Sequence, residues 1–276
     1  MISIIKDAIS EREKIFSAVS EKVDVSATVS EIIDTVRREG DAALYRYAER
    51  FDKAHLTSLK VSEEEIREAV DSVDEEFIEI LKEAAENIRE FHEKQKNSGF
   101  EIKKENGIII GQKVVAVDVA GLYVPGGTAA YPSTVLMDAI PAKIAGCGRV
   151  VMTTPPSKEG QVNPVILAAA YVAGVDEIYK IGGAQAIAAL AYGTETVPKT
   201  DKIVGPGNAF VAEAKRQVYG TVSIDMIAGP SEIMVIADAK NRPCDIAADL
   251  LSQAEHDRMA SAVLVTDSEE FALEYL

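Results

Sequence analysis

The 276-residue chain contains no tryptophan, only two cysteines and only three histidines. Cys147 and Cys244 form neither a disulfide framework nor a paired metal motif. It is also short of positive charge: 29 Lys and Arg stand against 45 Asp and Glu, for a net charge of −16. Phosphate-backbone binding requires a basic surface, so this balance excludes nucleic acid as a partner. It equally disfavours an anionic membrane face. Long apolar runs are missing as well. The longest, VILAAAYVAGV from Val165 to Val175, is too short to cross a bilayer. The opening MISIIKDAISEREK has no basic segment leading into an apolar core, so a cytoplasmic location without a signal peptide is expected.

What is present divides near residue 107. Before it the chain is rich in Glu, Lys and Arg with helical periodicity. Between Thr28 and Phe51, Ile32, Ile33, Val36, Ala43 and Leu44 share one face, with Gly40 as a break. Ser62-Glu-Glu-Glu65 has the spacing of a capping box and opens a second helix. A long amphipathic run follows from Asp74 to about Lys96. From Lys113 onward short β-branched runs alternate with Ala-rich stretches. Strands are expected at Val114–Val119, Arg149–Thr153, Glu177–Ile181, Lys202–Val204, Ile233–Ala237 and Ala262–Val265. Helices are expected at 133–145, 161–173, 184–192, 208–219 and 243–255. Such alternation implies βαβ units, hence an α/β fold with a mostly parallel sheet and helices on its faces.

Ligands of such sheets bind beyond the carboxyl ends of the strands. The loops there are rich in glycine: GLYVPGG from Gly121, IGGAQA from Ile181, and VGPGNA from Val204, with IAGPSE from Ile227 preceding a strand. None is the G-x-G-x-x-G fingerprint, since GPGNAF lacks the third glycine. Singly each is an ordinary turn. Together, three glycine junctions with a hydroxyl or amide side chain at one sheet edge fit a phosphate-bearing cofactor.

His55 and His92 lie in charged helical surroundings and read as surface residues. Cys147 reads as packing at a helix end, and Cys244 as structural. Gln253 and His256 in DLLSQAEH are three residues apart, so on a helix they share a face. Spacing alone leaves a helix-capping histidine ahead of a metal ligand, because a zinc site needs about four ligands.

GLYVPGGTAAYPSTVLMDAIPAKIAGC, KIGGAQAIAALAYGTETVP, DKIVGPGNAFVAEAKRQVYG, IDMIAGPSEIMVIAD and ADLLSQAEH, in this order and spacing, closely resemble histidinol dehydrogenase. The resemblance implies NAD- and zinc-dependent oxidation of L-histidinol through the aldehyde to L-histidine, in a homodimer. It implies two Rossmann-like, aldehyde-dehydrogenase-like parallel-sheet domains behind an N-terminal helical segment, 1–20. Residues 21–120 with 230–276 would form one domain and 121–229 the NAD-binding one. Tyr123, Gln185 and Asn208 fall at its NAD positions and Ser231 at a substrate position. Gln253 and His256 fall at positions that bind zinc and border the substrate. The family's Glu-His acid/base pair and its remaining zinc ligands have no counterpart before Leu276, so no catalytic residue is assigned. The chain is accordingly expected to be a truncated member, inactive alone. The alternatives are a non-catalytic nucleotide-binding derivative and a cysteine-dependent aldehyde dehydrogenase.

Overall fold

A computed structural model describes residues 4–7, 9–12, 24–126, 130–227, 232–255 and 260–273. The chain forms two compact units, Asp24–Ile227 and a second drawn from Met1–Val23 with Ala228–Leu276.

In the larger unit, α1 (Ser26–Glu39) buries Val29, Ile32, Ile33 and Val36, the one-sided spacing of an amphipathic helix. Gly40, at φ 55°, breaks it before α2 (Asp41–Tyr47), which buries Ala43 and Leu44. A π-helical turn, Ala48–Asp52, follows and closes on Lys53 in the left-handed region at φ 60°. The capping box forms as the sequence predicts and opens α3 (Glu63–Ser72). Ser62 Oγ accepts from the Glu65 N–H at 3.1 Å, and Glu65 Oε2 accepts from the Ser62 N–H at 2.8 Å. The long amphipathic run becomes α4 (Glu75–Glu93).

The β-α alternation then appears as β3 (Val119–Tyr123), α5 (Pro132–Ala145), β4 (Arg149–Thr154), α6 (Pro164–Ala173), β5 (Glu177–Lys180), α7 (Gly183–Tyr192), β6 (Lys202–Val204), α8 (Ala209–Val218) and β7 (Ser223–Ile224). These follow an antiparallel hairpin of β1 (Phe100–Lys103) and β2 (Ile109–Gln112). The five strands β3–β7 are all parallel, in spatial order β5-β4-β3-β6-β7. Successive side chains of a strand point to opposite faces, and two cores result. Leu122, Val150, Met152 and Ile178 face α3–α6, whereas Tyr123, Val151, Tyr179 and Ile203 face α1, α2, α7 and α8.

The smaller unit contains a βαβ element. β8 (Glu232–Ile236) pairs in parallel with β9 (Ser261–Val265), and α9 (Pro243–Ala254) connects them. A small core of Ala237, Ile246 and Phe271 includes α10 (Glu269–Leu273).

Three details differ from expectation. The strand expected at Val114–Val119 begins only at Val119, because the next four residues are the ones buried on both faces, while Val114 and Val115 stay exposed. The β1–β2 hairpin lies within and just after the charged stretch and was not anticipated. Its residues are exposed throughout, so it lacks the half-buried alternation by which strands are recognised. The two-residue β7 is too short to leave a pattern. Of the expected helical segment 1–20, the described residues 4–7 and 9–12 contain a turn, and the remainder lies outside the described residues.

Candidate functional site at the sheet edge

The strand order reverses between β3 and β6, since the chain builds outward from β3 to β4 and β5 and then returns to the other side. Connections from neighbouring strands diverge at such a point and leave a crevice beyond their carboxyl ends. Three of the glycine loops of the sequence, those after β3, β5 and β6, lie at this edge. Pro155, after β4, packs against two of them. A Cβ on Gly126, after β3, would lie 2.4 Å from Pro155 Cγ, and one on Gly182, after β5, 2.6 Å from Pro155 Cβ. Only glycine permits that approach. At Gly205, after β6, the requirement is doubled: φ is +115°, and a Cβ would lie 2.1 Å from the carbonyl oxygen of Tyr123.

Of the side chains the sequence singles out, three belong to this edge. Tyr123 is the last residue of β3 and is buried; its hydroxyl accepts from the Gly183 N–H at 3.1 Å, tying the loops after β3 and β5 together. Burial pushes its phenol up to about 12, with the negative charge of Asp52 adding to the shift against the Gly183 hydrogen bond. Gln185, in the first turn of α7, is buried at 2% exposure, and its Oε1 lies 2.8 Å from where a Gly183 Cβ would stand. Asn208 is the N-cap of α8: its Oδ1 accepts from the N–H groups of Phe210 and Val211 at 3.1 and 3.2 Å.

Four charged residues beneath these loops were not anticipated. Lys215, on α8, is 1% exposed; its ammonium donates to the Gly205 carbonyl at 2.9 Å and pairs with Asp225. Asp225 Oδ2 in turn accepts from the Gly205 N–H at 2.9 Å, so both backbone groups of Gly205 are held by one ion pair. Asp138, on α5, faces this pair, and its Oδ2 is buried without a hydrogen-bond partner among the described residues. Burial first, then the like charge of Asp225, raise its carboxyl to about 7 against the opposing pull of Lys215. Periodicity carried a signal for two of them. Lys215 continues the buried row Val211, Ala214 and Val218, and Asp138 lies one turn after Val135. Asp52 lines a cavity of about 530 Å³ with Gly126, Pro155, Ser157, Lys158 and Asn163. Its Oδ2 too is buried without a partner among the described residues, and burial raises the carboxyl to about 6.

Ser231, Gln253 and His256 belong to the segment 228–276 of the smaller unit. Gln253 lies in the last turn of α9 with its Nε2 buried and unpartnered among the described residues. Ser231 and His256 lie outside the described residues. No group of three His, Cys, Asp or Glu able to hold a metal is found among the described residues. One amide, or two ligands with His256, falls short of the about four that zinc requires, so these residues alone do not fit the ion. Cys147 is half-buried and burial raises its thiol, which opposes a reactive thiolate there, whereas Cys244 is exposed. His55 is exposed, and His92 is occupied with Gln95 at 2.7 Å. No helix among the described residues is long and apolar enough to cross a membrane.

Comparison with known proteins agrees along nearly the whole chain. A family model described as histidinol dehydrogenase matches residues 17–275. Histidinol dehydrogenase of Clostridium acetobutylicum is 57% identical over 275 residues, 98% of this chain and 64% of the relative. That of Geobacillus kaustophilus is 62% identical over 242 residues, 88% of this chain and 57% of the relative. The crystal structure of histidinol dehydrogenase from Elizabethkingia anophelis matches at a TM-score of 0.91 and 41% identity, covering 100% of this chain and 64% of that one. The chain thus spans about two-thirds or less of the length of these relatives.

Proposed function

The chain belongs to the histidinol dehydrogenase family, and from that membership we propose that the protein it represents oxidises L-histidinol to L-histidine with NAD. The observation that carries the cofactor reading is the reversal of strand order between β3 and β6, where sheets of this kind bind ligands. There backbone approaches backbone too closely for any side chain at Gly205, and Tyr123, Gln185 and Asn208 gather within one sheet edge. Bound there, NAD would supply the hydride acceptor. The protein's own part is positional. The Asn208 oxygen is committed to capping α8, which leaves its amide NH₂ as the donor for a ligand. The Tyr123 hydroxyl, kept protonated well above neutral pH, acts as a neutral hydrogen-bonding group and not as a base. The N–H groups of Phe210 and Val211 are taken by the Asn208 cap, so what α8 would offer an anionic pyrophosphate is the positive end of its dipole.

The strand order supports a Rossmann-like reading of the five-stranded sheet. The division into 121–229 as the nucleotide domain and 21–120 plus 230–276 as the other rests on the family match alone, while α1–α4 share both cores with that sheet. Gln253 and His256 are proposed as two zinc ligands bordering the substrate and Ser231 as a substrate contact. They rest on the family match, and no step is derived through the metal. A homodimer in the cytoplasm completes the reading.

The test follows NAD reduction by L-histidinol with zinc present, using this chain and a protein extended to the length of the relatives. Turnover by the extended protein supports the proposal; none overturns it. NAD binding by calorimetry without turnover in either would favour a non-catalytic nucleotide-binding protein.

A further inference from the structure

In a doubly wound sheet the adenosine half of a dinucleotide lies over the first strands of the sheet. Its ribose is held by an acidic residue about 20 residues on from the glycine turn, at the end of the second strand. That strand is β4, and it ends here in Thr153-Thr154-Pro155-Pro156-Ser157-Lys158; the first acid, Glu159, is exposed and does not line the cavity beside it. The cavity of about 530 Å³ lies at this place, between the loops after β3 and β4. Among the described residues its only lining carboxylate is Asp52, which arrives from a different part of the chain.

The backbone that delivers Asp52 is irregular. It is the last residue of the π-helical turn, the Ala54 N–H reaches back six residues to the Ala48 carbonyl at 3.2 Å, and Lys53 takes φ 60°. Isolated π turns recur at functional sites because they re-aim one side chain, and a non-glycine residue at positive φ carries strain of about 1 kcal/mol or more. The result is a carboxylate with one oxygen out of water and unpartnered among the described residues. A buried acceptor without a donor is costly, and a turn of the carboxylate toward the cavity that Asp52 lines would let a ligand hydroxyl satisfy it.

We propose that Asp52 is the acceptor for the adenosine ribose hydroxyls of the dinucleotide, taking the place of the missing acid at the end of β4. It thereby selects NAD over its 2′-phosphorylated form. A 2′-phosphate would bring like charge against a desolvated carboxylate, where repulsion is screened least. Lys158 lines the same cavity and is the cation that such a phosphate would otherwise find. This subsite rests on the dinucleotide reading above.

Calorimetric titration with NAD, NADP and 2′-deoxy-NAD tests it, on the chain as it stands and on Asp52→Asn and Asp52→Ser. The unaltered chain should bind NAD at least about tenfold more tightly than NADP or the 2′-deoxy analogue, because one loses the hydroxyl and the other replaces it. Both variants should shrink the NAD-to-NADP preference about tenfold or more. Thermal melting confirms that they remain folded, and the 2′-deoxy comparison needs no variant. Equal binding of NAD and 2′-deoxy-NAD, or an unchanged preference in folded variants, overturns the subsite while leaving the dinucleotide reading intact. Failure of the unaltered chain to bind any of the three overturns both.

Discussion

Asp138 offers a prediction whose size follows from the structure. Its carboxyl titrates near 7 in the folded chain, against an ordinary value of 3.8, because it is buried beside Asp225. Between those two values the folded state keeps a proton that the unfolded state has released. Stability therefore falls as pH rises through this window, and the full penalty persists above about pH 7. Roughly three pH units at about 1.4 kcal/mol each set an upper bound of about 4 kcal/mol; relaxation and partial solvent access reduce it to about 2. Asparagine copies the shape of the neutral acid and cannot ionise. Asp138→Asn should match the unaltered chain to within about 1 kcal/mol near pH 5 and exceed it by about 2 kcal/mol near pH 8. Urea unfolding at both pH values reads the difference directly, with an unchanged slope as the control for compactness. A variant whose advantage is the same at both pH values would show that Asp138 is already ionised and solvated, and the reasoning from burial would fail. The Lys215–Asp225 pair stays intact in this experiment, so the readout isolates one carboxyl.

Two further outcomes follow, one at the same edge and one at the two cysteines. Gly205→Ala, with its Cβ 2.1 Å from the Tyr123 carbonyl and φ at +115°, should cost more than about 2 kcal/mol in urea unfolding and abolish NAD binding, since Asn208 follows in the displaced turn. Iodoacetamide should modify exposed Cys244 well before Cys147, whose thiol is raised by burial; mass spectrometry of the two peptides checks this, and faster loss of Cys147 would revive the cysteine-dependent alternative.

Much of the architecture was legible in order along the chain. The apolar row of α1 and α2, the capping box at Ser62 and the βα alternation from Arg149 onward each rest on preferences settled within a few residues, and each forms. The glycine loops could be read as an edge because parallel strands must end together. The family match, carried by five long segments, went further than any spacing argument. Gln253 and His256 show the contrast, since three-residue spacing alone favoured a helix cap.

What only the tertiary structure decided is the state of the charged residues. Asp52 follows Arg and Phe at the end of an amphipathic helix and looks solvated; Asp138 and Lys215 fall in buried helical rows, but the rows do not tell which charges they meet. Whether a carboxylate keeps its water depends on which distant segments cover it, here β4's loop over Asp52 and the residues of β6, α8 and β7 around Asp138. Helix, strand and turn are local decisions of the backbone, whereas desolvation is a property of the assembled neighbourhood. The sequence could therefore name the edge proposed for a cofactor, and only the fold could show which charges lie buried beneath it.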